Sequence, residues 1–141
     1  MSDPCPFCAI GAGKADEDLV VLRTEHVFVT VTLKQRPANP GQVVVCPVAH
    51  ATTLHSTEPA LLREVFDVVT RVSGAASAAF QAVGTTIHNN NDAPGQVISH
   101  LHVHVIPRFA GDGLVIPNPS NETAPRSWRL EVAARWRRVL Q

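Results

Sequence analysis

The stretch Gly95-Gln96-Val97-Ile98-Ser99-His100-Leu101-His102-Val103-His104-Val105-Ile106 holds three of the chain's seven histidines within five residues. Read as one long strand over 97–106, it sends alternate residues to opposite faces. The imidazoles of His100, His102 and His104 then project one way, and Leu101, Val103 and Val105 pack the other way. Three histidines on one sheet face make a poor core, so packing does not account for them. Two chemistries do: a metal site built from strand histidines, or a cluster in which one neutral imidazole is a nucleophile and another hydrogen-bonds the substrate. Gly95-Gln96 offers a flexible backbone and a side-chain amide suited to phosphate oxygens. No acid lies on the histidine face, whereas many catalytic metal sites include a carboxylate.

Outward from this stretch, the pattern predicts strands at 19–23 and 26–33, the second alternating Val27, Val29, Val31 and Leu33 with Phe28, Thr30 and Thr32. KQRPANPG at 34–41 reads as a turn. Gln42–Val48 is a continuous apolar run, expected to be a strand buried on both faces. Ser56-Thr57-Glu58-Pro59 signals a helix start with a hydroxyl N-cap. Leu61, Leu62, Val65, Val68, Val69, Val72, Ala76, Ala79 and Phe80 continue it at helical spacing. A strand near 83–89 leads into the polar loop Asn89–Gln96, and Gly111-Asp112-Gly113 turns the chain after the histidine strand. Ser127–Leu140 reads as a last helix anchored by Trp128 and Trp136. The first 18 residues read as a loop-rich lead-in. Strands, long helix, strands and helix in that order predict one α+β domain over 1–141 with a mainly antiparallel sheet.

Composition narrows the function. The chain has 141 residues, 45% of them hydrophobic, and 12 Lys+Arg balance 12 Asp+Glu. That is enough to bury a core without disulfide staples. Zero formal net charge supplies no field for a nucleic-acid polymer or a membrane surface, and no apolar run approaches the roughly 20 residues that span a bilayer. The N-terminus lacks a basic n-region and an apolar h-region, so the expectation is a cytoplasmic protein. Charge is unevenly spread: residues 1–25 hold five acids and two bases, residues 126–138 five arginines and one acid. The arginines read as a solvated helix face, with a phosphate or partner patch as the alternative.

Cys5-Pro6-Phe7-Cys8 is the second constellation. By itself a CxxC is a redox pair, a disulfide or half a zinc site. Three cysteines do not pair off, and no strand precedes residue 5 as a redox motif requires. Two thiolates with two histidines complete a tetrahedral zinc site. Cys46, inside the apolar run, reads as a small core residue.

Gln96 followed by His100-Leu101-His102-Val103-His104-Val105-Ile106 resembles the signature of the histidine triad (HIT) superfamily of nucleotidyl hydrolases and transferases. Glu25-His26-Val27-Phe28-Val29, Pro40-Gly41-Gln42-Val43-Val44-Val45 and the Asn-rich loop running into Gly95-Gln96 match as well, so the resemblance covers roughly residues 5–113. It implies a five-stranded antiparallel sheet with one long helix and a C-terminal helix, and a two-fold homodimer around that helix and sheet edge.

The same resemblance implies a chemistry. His102 is the nucleophile that attacks the α-phosphorus of a nucleoside phosphoramidate or dinucleoside polyphosphate, forming a nucleotidyl-imidazole that water resolves. Imidazole is nucleophilic at neutral pH without losing a proton. Gln96 and His104 bind the non-bridging oxygens. Asn89 falls where relatives place a nucleotide- or phosphate-contacting amide, with simple turn chemistry as the alternative. Cys5, Cys8, His50 and His100 are the implied ligands of a structural zinc. One position departs from the pattern: Lys34 falls near where many relatives carry a ribose-binding acid or amide, and an ammonium cannot accept hydrogen bonds. Purine-nucleoside specificity is therefore not implied. Two rival functions remain, a non-enzymatic nucleotide-binding protein and a metallohydrolase using all three triad histidines as catalytic ligands. His26, His55 and His88 read as surface or strand residues without a role.

Overall fold

Alternation in the valine-rich runs decides which side of the sheet each strand covers. The computed structural model describes residues 4–116 and 122–141. Its elements are α1 (Pro6–Gly11), β1 (Val20–Arg23), β2 (Val27–Val31), β3 (Lys34–Gln35), β4 (Val43–Pro47), α2 (Pro59–Phe80), β5 (Gly84–His88), β6 (Val103–Arg108), β7 (Glu122–Thr123) and α3 (Arg126–Leu140). Five strands form the expected antiparallel sheet in the order β1-β2-β4-β6-β5. Val27, Val29 and Val31, Val43 and Val45, and Val103 and Val105 all turn to one face, where α2 and α3 bury them. Each fully buried valine contributes about 1.5–3 kcal/mol to that packing.

Trp136 closes this core. It is fully buried, its Nε1–H donates to the Gly41 carbonyl at 2.8 Å, and it meets Phe80 edge-on with ring centroids 5.2 Å apart. Gly41 has φ +106°, and a Cβ there would come within 2.8 Å of the Phe80 ring, so no larger residue fits the turn.

The opposite face carries a smaller cluster of Phe28, Val44, Cys46, Val20 and Ile10, with Phe7 of α1 packed against it. Val44 pairs with His104 in the β4–β6 register, so the histidines share this second face. Cys46 is the core thiol expected from sequence, fully buried there.

Four expectations need correction. The long strand at 97–106 is shorter: its ladder starts at Val103. Asp92 takes φ +64°, and the Gln96 and His100 N–H groups turn back to the Asp92 and Ile98 carbonyls. The Leu101 N–H meets the Ala51 carbonyl at 2.6 Å rather than a neighbouring strand. Local polar bonds thus replace pairing over 97–102, and Val97 is 90% exposed.

The lead-in is not all loop. Pro6 starts the short helix α1, and the Cys5 Sγ accepts from the Cys8 N–H at 3.4 Å. The cap of α2 is Glu58, without a side-chain cap bond. Thr57 instead donates back to the Thr53 carbonyl at 2.6 Å. Finally, the 34–41 turn contains β3, which pairs with β7 in a second, two-stranded sheet.

The uneven charge resolves into an internal clasp. Arg126 pairs with Asp18 at 2.5 Å and Asp16 at 3.3 Å, and Arg137 donates to the carbonyls of Asp18 and Val20 at 2.8 and 2.7 Å. The basic helix therefore holds the acidic N-terminal segment through Arg126 and Arg137. Among the described residues, no helix is long and apolar enough to cross a membrane.

Candidate active site and metal centre

A continuous row of rings runs along the second face of the sheet. His50 lies edge-on to His100 with centroids 5.1 Å apart, and Phe7 sits 5.8 Å from His100 and 5.1 Å from His102. His102 then meets His104 at 5.1 Å, and His104 stacks on His88 at 4.2 Å with the planes 5° apart. β6 and the turn before it place the triad, α1 places Phe7, and β5 places His88 opposite His104.

At one end, Cys5, Cys8, His50 and His100 bring one ligand atom each to within 4.8 Å of the others. The Cys5 Sγ lies 3.4 Å from His100 Nδ1, and the Cys8 Sγ lies 3.2 Å from His50 Nδ1 and 3.5 Å from His100 Nδ1. Burial and the neighbouring Cys5 raise the Cys8 thiol above its ordinary range. Thiols packed this closely lose their protons readily only to a cation held between them, so two cysteines with two imidazoles fit a metal. His100 is fully buried, and its Nε2 lies 2.8 Å from the Pro47 carbonyl. With the proton on Nε2, Nδ1 is left as a lone pair facing the sulfurs, the arrangement by which second-shell carbonyls orient metal-binding histidines. This cluster could hold a metal ion, and it is the set that the sequence marked.

The middle and far histidines are held differently. His102 Nδ1 lies 2.7 Å from the His100 carbonyl, which places its proton on Nδ1 and leaves Nε2 as a lone pair. Burial lowers the His102 pKa, so the ring is neutral at neutral pH. His104 is held at Nδ1 by the Gln42 Nε2–H at 2.9 Å. Arg36 orients that amide by donating to Gln42 Oε1 at 3.2 Å. His104 therefore carries its proton on Nε2 and can donate it to an anion. Burial, then the charges of His88, His102 and Arg36, push the His104 pKa down to about 3. Of the three triad rings, His100 and His102 thus each keep a bare ring nitrogen, and His104 keeps a ring N–H.

The two sequence-marked amides sit on the loop. Asn89 Nδ2 donates to the His102 carbonyl at 3.1 Å, and Asn91 bonds Asn89 in turn. Asn89 therefore fixes the backbone of the nucleophile candidate. The Gln96 amide is engaged within the loop: Oε1 accepts from the Asp92 N–H at 2.8 Å and Nε2 donates to the Thr52 carbonyl at 2.6 Å. One Nε2–H remains for a ligand.

Lys34 is exposed on β3. His26 and His55 are surface residues beside Glu64 and Asp92. His88 is not a bystander. It joins the ring row, with both ring nitrogens buried and without a partner among the described residues. Arg36, 4% exposed, was also missed, because a charged residue beside Pro37 in a turn reads as solvated. The one signal for His88 was its place at the end of a strand adjoining the histidine strand.

Comparison with known proteins agrees with this picture. Residues 14–111 match the HIT domain family. "Protein hit" of Bacillus subtilis is 31% identical over 114 residues, covering 79% of this chain and 77% of that protein. The AP-4-A phosphorylase of Mycobacterium tuberculosis is 33% identical over 114 residues, covering 76% of this chain and 55% of that protein. A zinc-bound histidine triad family protein from Mycobacterium smegmatis superposes with a TM-score of 0.79 at 27% identity, covering 96% of this chain and 92% of that one.

Proposed function

The chain belongs to the HIT domain family, and from that premise we propose that it is a nucleotidyl hydrolase or transferase. Its substrate is a nucleoside phosphoramidate or a dinucleoside polyphosphate, opened at the α-phosphorus through a covalent nucleotidyl-His102 intermediate. The observation that carries this reading is the His102 Nδ1 contact to the His100 carbonyl, which leaves a neutral imidazole with its Nε2 lone pair available. The relative named AP-4-A phosphorylase supports the dinucleoside polyphosphate arm.

In the first step the His102 Nε2 lone pair forms a bond to phosphorus, and the bond to the leaving group breaks. The leaving group takes its electrons and a proton from solvent water, and the water that attacks in the next step returns one proton to solvent. In the second step water attacks the same phosphorus, and the P–N bond electrons return to His102. His104 Nε2–H and the remaining Gln96 Nε2–H donate to the non-bridging oxygens, where negative charge grows. Asn89 keeps His102 in place through its carbonyl.

The metal is structural zinc, held by Cys5, Cys8, His50 and His100. Bound there, the metal would supply cross-linking alone: Cys5 and Cys8 at α1 and His50 after β4 would be tied to His100. The donor set of two thiolates and two imidazoles supports zinc, as does the zinc-bound neighbour. A reducing cytoplasm suits the three free cysteines. Two copies pair through α2 and the β5 edge, where Val83 is 77%, Ile87 39% and Phe66 38% exposed. The partner in catalysis is a small nucleotide and not a nucleic-acid polymer.

Turnover of an adenylated amine and of a dinucleoside polyphosphate by wild type and His102→Ala tests the reading. Loss of both activities in a folded variant is expected. Wild-type rates in His102→Ala remove the nucleophile assignment.

A further inference from the structure

Two groups beside His104 stand out: a buried guanidinium with no carboxylate partner among the described residues, and an imidazole whose two buried nitrogens have no hydrogen bond there. Arg36 is 4% exposed, yet its hydrogen bonds go only to neutral acceptors, Gln42 Oε1 at 3.2 Å and the Val115 carbonyl at 3.4 Å. Its Nη2 makes no hydrogen bond to the described residues. Asp112, the carboxylate of the loop after β6, is held by Arg108, Asn39 and the Phe109 and Leu114 N–H groups. Arg36 is thus a buried cation without a counter-ion among the described residues. Removing a guanidinium from water uncompensated is expensive, and a fold retains such a group only for some gain.

His88 is the second case. Its ring lies face to face with His104, and neither nitrogen has a partner. Buried imidazole nitrogens are normally bonded, so an orphaned pair calls for an explanation. Both residues flank the same ring: Arg36 reaches His104 through Gln42, and His88 covers its face.

We propose that Arg36 and His88 form an anion subsite beside His104, which receives a second phosphate of the nucleotide. That phosphate is either one beyond the α-phosphate or one on the ribose. The subsite rests on the nucleotide-binding reading above and deepens it. Guanidinium suits this task because its planar fork of N–H groups bonds phosphate oxygens in pairs. It also accounts for Lys34, which is exposed at the position that raised the question of the nucleoside while Arg36 is turned inward.

Binding of AMP, ADP and adenosine 2′,5′-bisphosphate, measured by calorimetry on the metal-loaded protein, tests the subsite. One of the two bisphosphorylated ligands is expected to bind about 10-fold more tightly than AMP. Which one does so tells the leaving side from the ribose side. In Arg36→Met the advantage is expected to shrink below about 3-fold, because the charged partner is gone. His88→Phe, which keeps a ring against His104 but removes both nitrogens, is expected to reduce the advantage in part. If neither ligand exceeds AMP, if none of the three binds, or if Arg36→Met keeps the full advantage, the subsite is overturned. An Arg36→Met protein that does not fold leaves the wild-type comparison and His88→Phe to decide. The readout is binding, so absence of a His102 adduct sinks the catalytic proposal alone. An adduct without a second-phosphate advantage sinks the subsite alone.

Discussion

His100 and His104 are four residues apart and of one residue type, yet the fold prepares them for opposite tasks. At the His100 end, the Pro47 carbonyl accepts from Nε2–H and so turns Nδ1 towards two sulfurs. At the His104 end, the Gln42 amide takes the Nδ1 lone pair and leaves Nε2–H outward. His102 between them has the first residue's own carbonyl at its Nδ1. Backbone and amide partners, more than the histidines themselves, assign the roles. The His100 carbonyl also joins the two ends, because the residue that would hold metal at its ring holds the proposed nucleophile, His102, at its backbone.

That contrast can be broken at each end separately. The largest effect is expected from His102→Ala, which should lower turnover by at least about 10³-fold, the scale seen when a nucleophile is deleted. Its metal content, read by elemental analysis, should equal wild type. Loss of metal in this variant would mean that the middle histidine belongs to the metal end.

Acid should act next, at the far end. His104 has its folded pKa lowered from an ordinary 6.5 to about 3, chiefly by burial. The unfolded chain therefore binds this proton first as pH falls. Its contribution to stability is intact above pH 6.5 and is lost progressively down to about pH 3, by at most about 5 kcal/mol. Denaturant unfolding of wild type and His104→Gln between pH 7 and pH 4 isolates it from metal release. Parallel pH profiles in the two proteins would contradict the assignment.

Cys5→Ser/Cys8→Ser attacks the metal end. The expected result is loss of one equivalent of zinc and a fall in Tm of about 10 °C, or roughly 3 kcal/mol for a chain of this size. Turnover per folded molecule should fall by less than about 10-fold, since His102 and His104 remain. One equivalent of zinc retained by the double variant would remove the proposed centre. The smallest effect is expected from Gln42→Leu, which frees His104 to change tautomer and should cost about 10-fold in turnover with zinc unchanged.

Much of this was legible in the sequence because it depends on spacing. The triad, the CxxC and the alternating valines are periodic or closely spaced, and the five-stranded sheet and the grouping of Cys5, Cys8, His50 and His100 formed from them as expected. The metal cluster and the α+β fold therefore needed little beyond pattern and family resemblance. What was not legible depended on loops and on contacts between strands. Residues 97–102 look like strand because Val97 and Ile98 are β-formers, but the Asp92 turn and the bond to Ala51 decide otherwise. His88 gained its place only through the β5–β6 register, which pairs it with His104. Arg36 lay in a proline turn, and its side chain is buried against Gln42 and the Val115 carbonyl, which nothing in 34–41 announced. Arg126 of α3 looked solvated because its acidic partners lie more than 100 residues away.

The central claim is that His102 becomes covalently nucleotidylated. Intact-mass analysis after rapid acid-free quenching, with a panel of nucleotidyl donors, tests it most directly. A nucleotide-sized mass increase on wild type that is absent from His102→Ala is the predicted result. Turnover without any adduct, or an adduct that persists in His102→Ala, would contradict it.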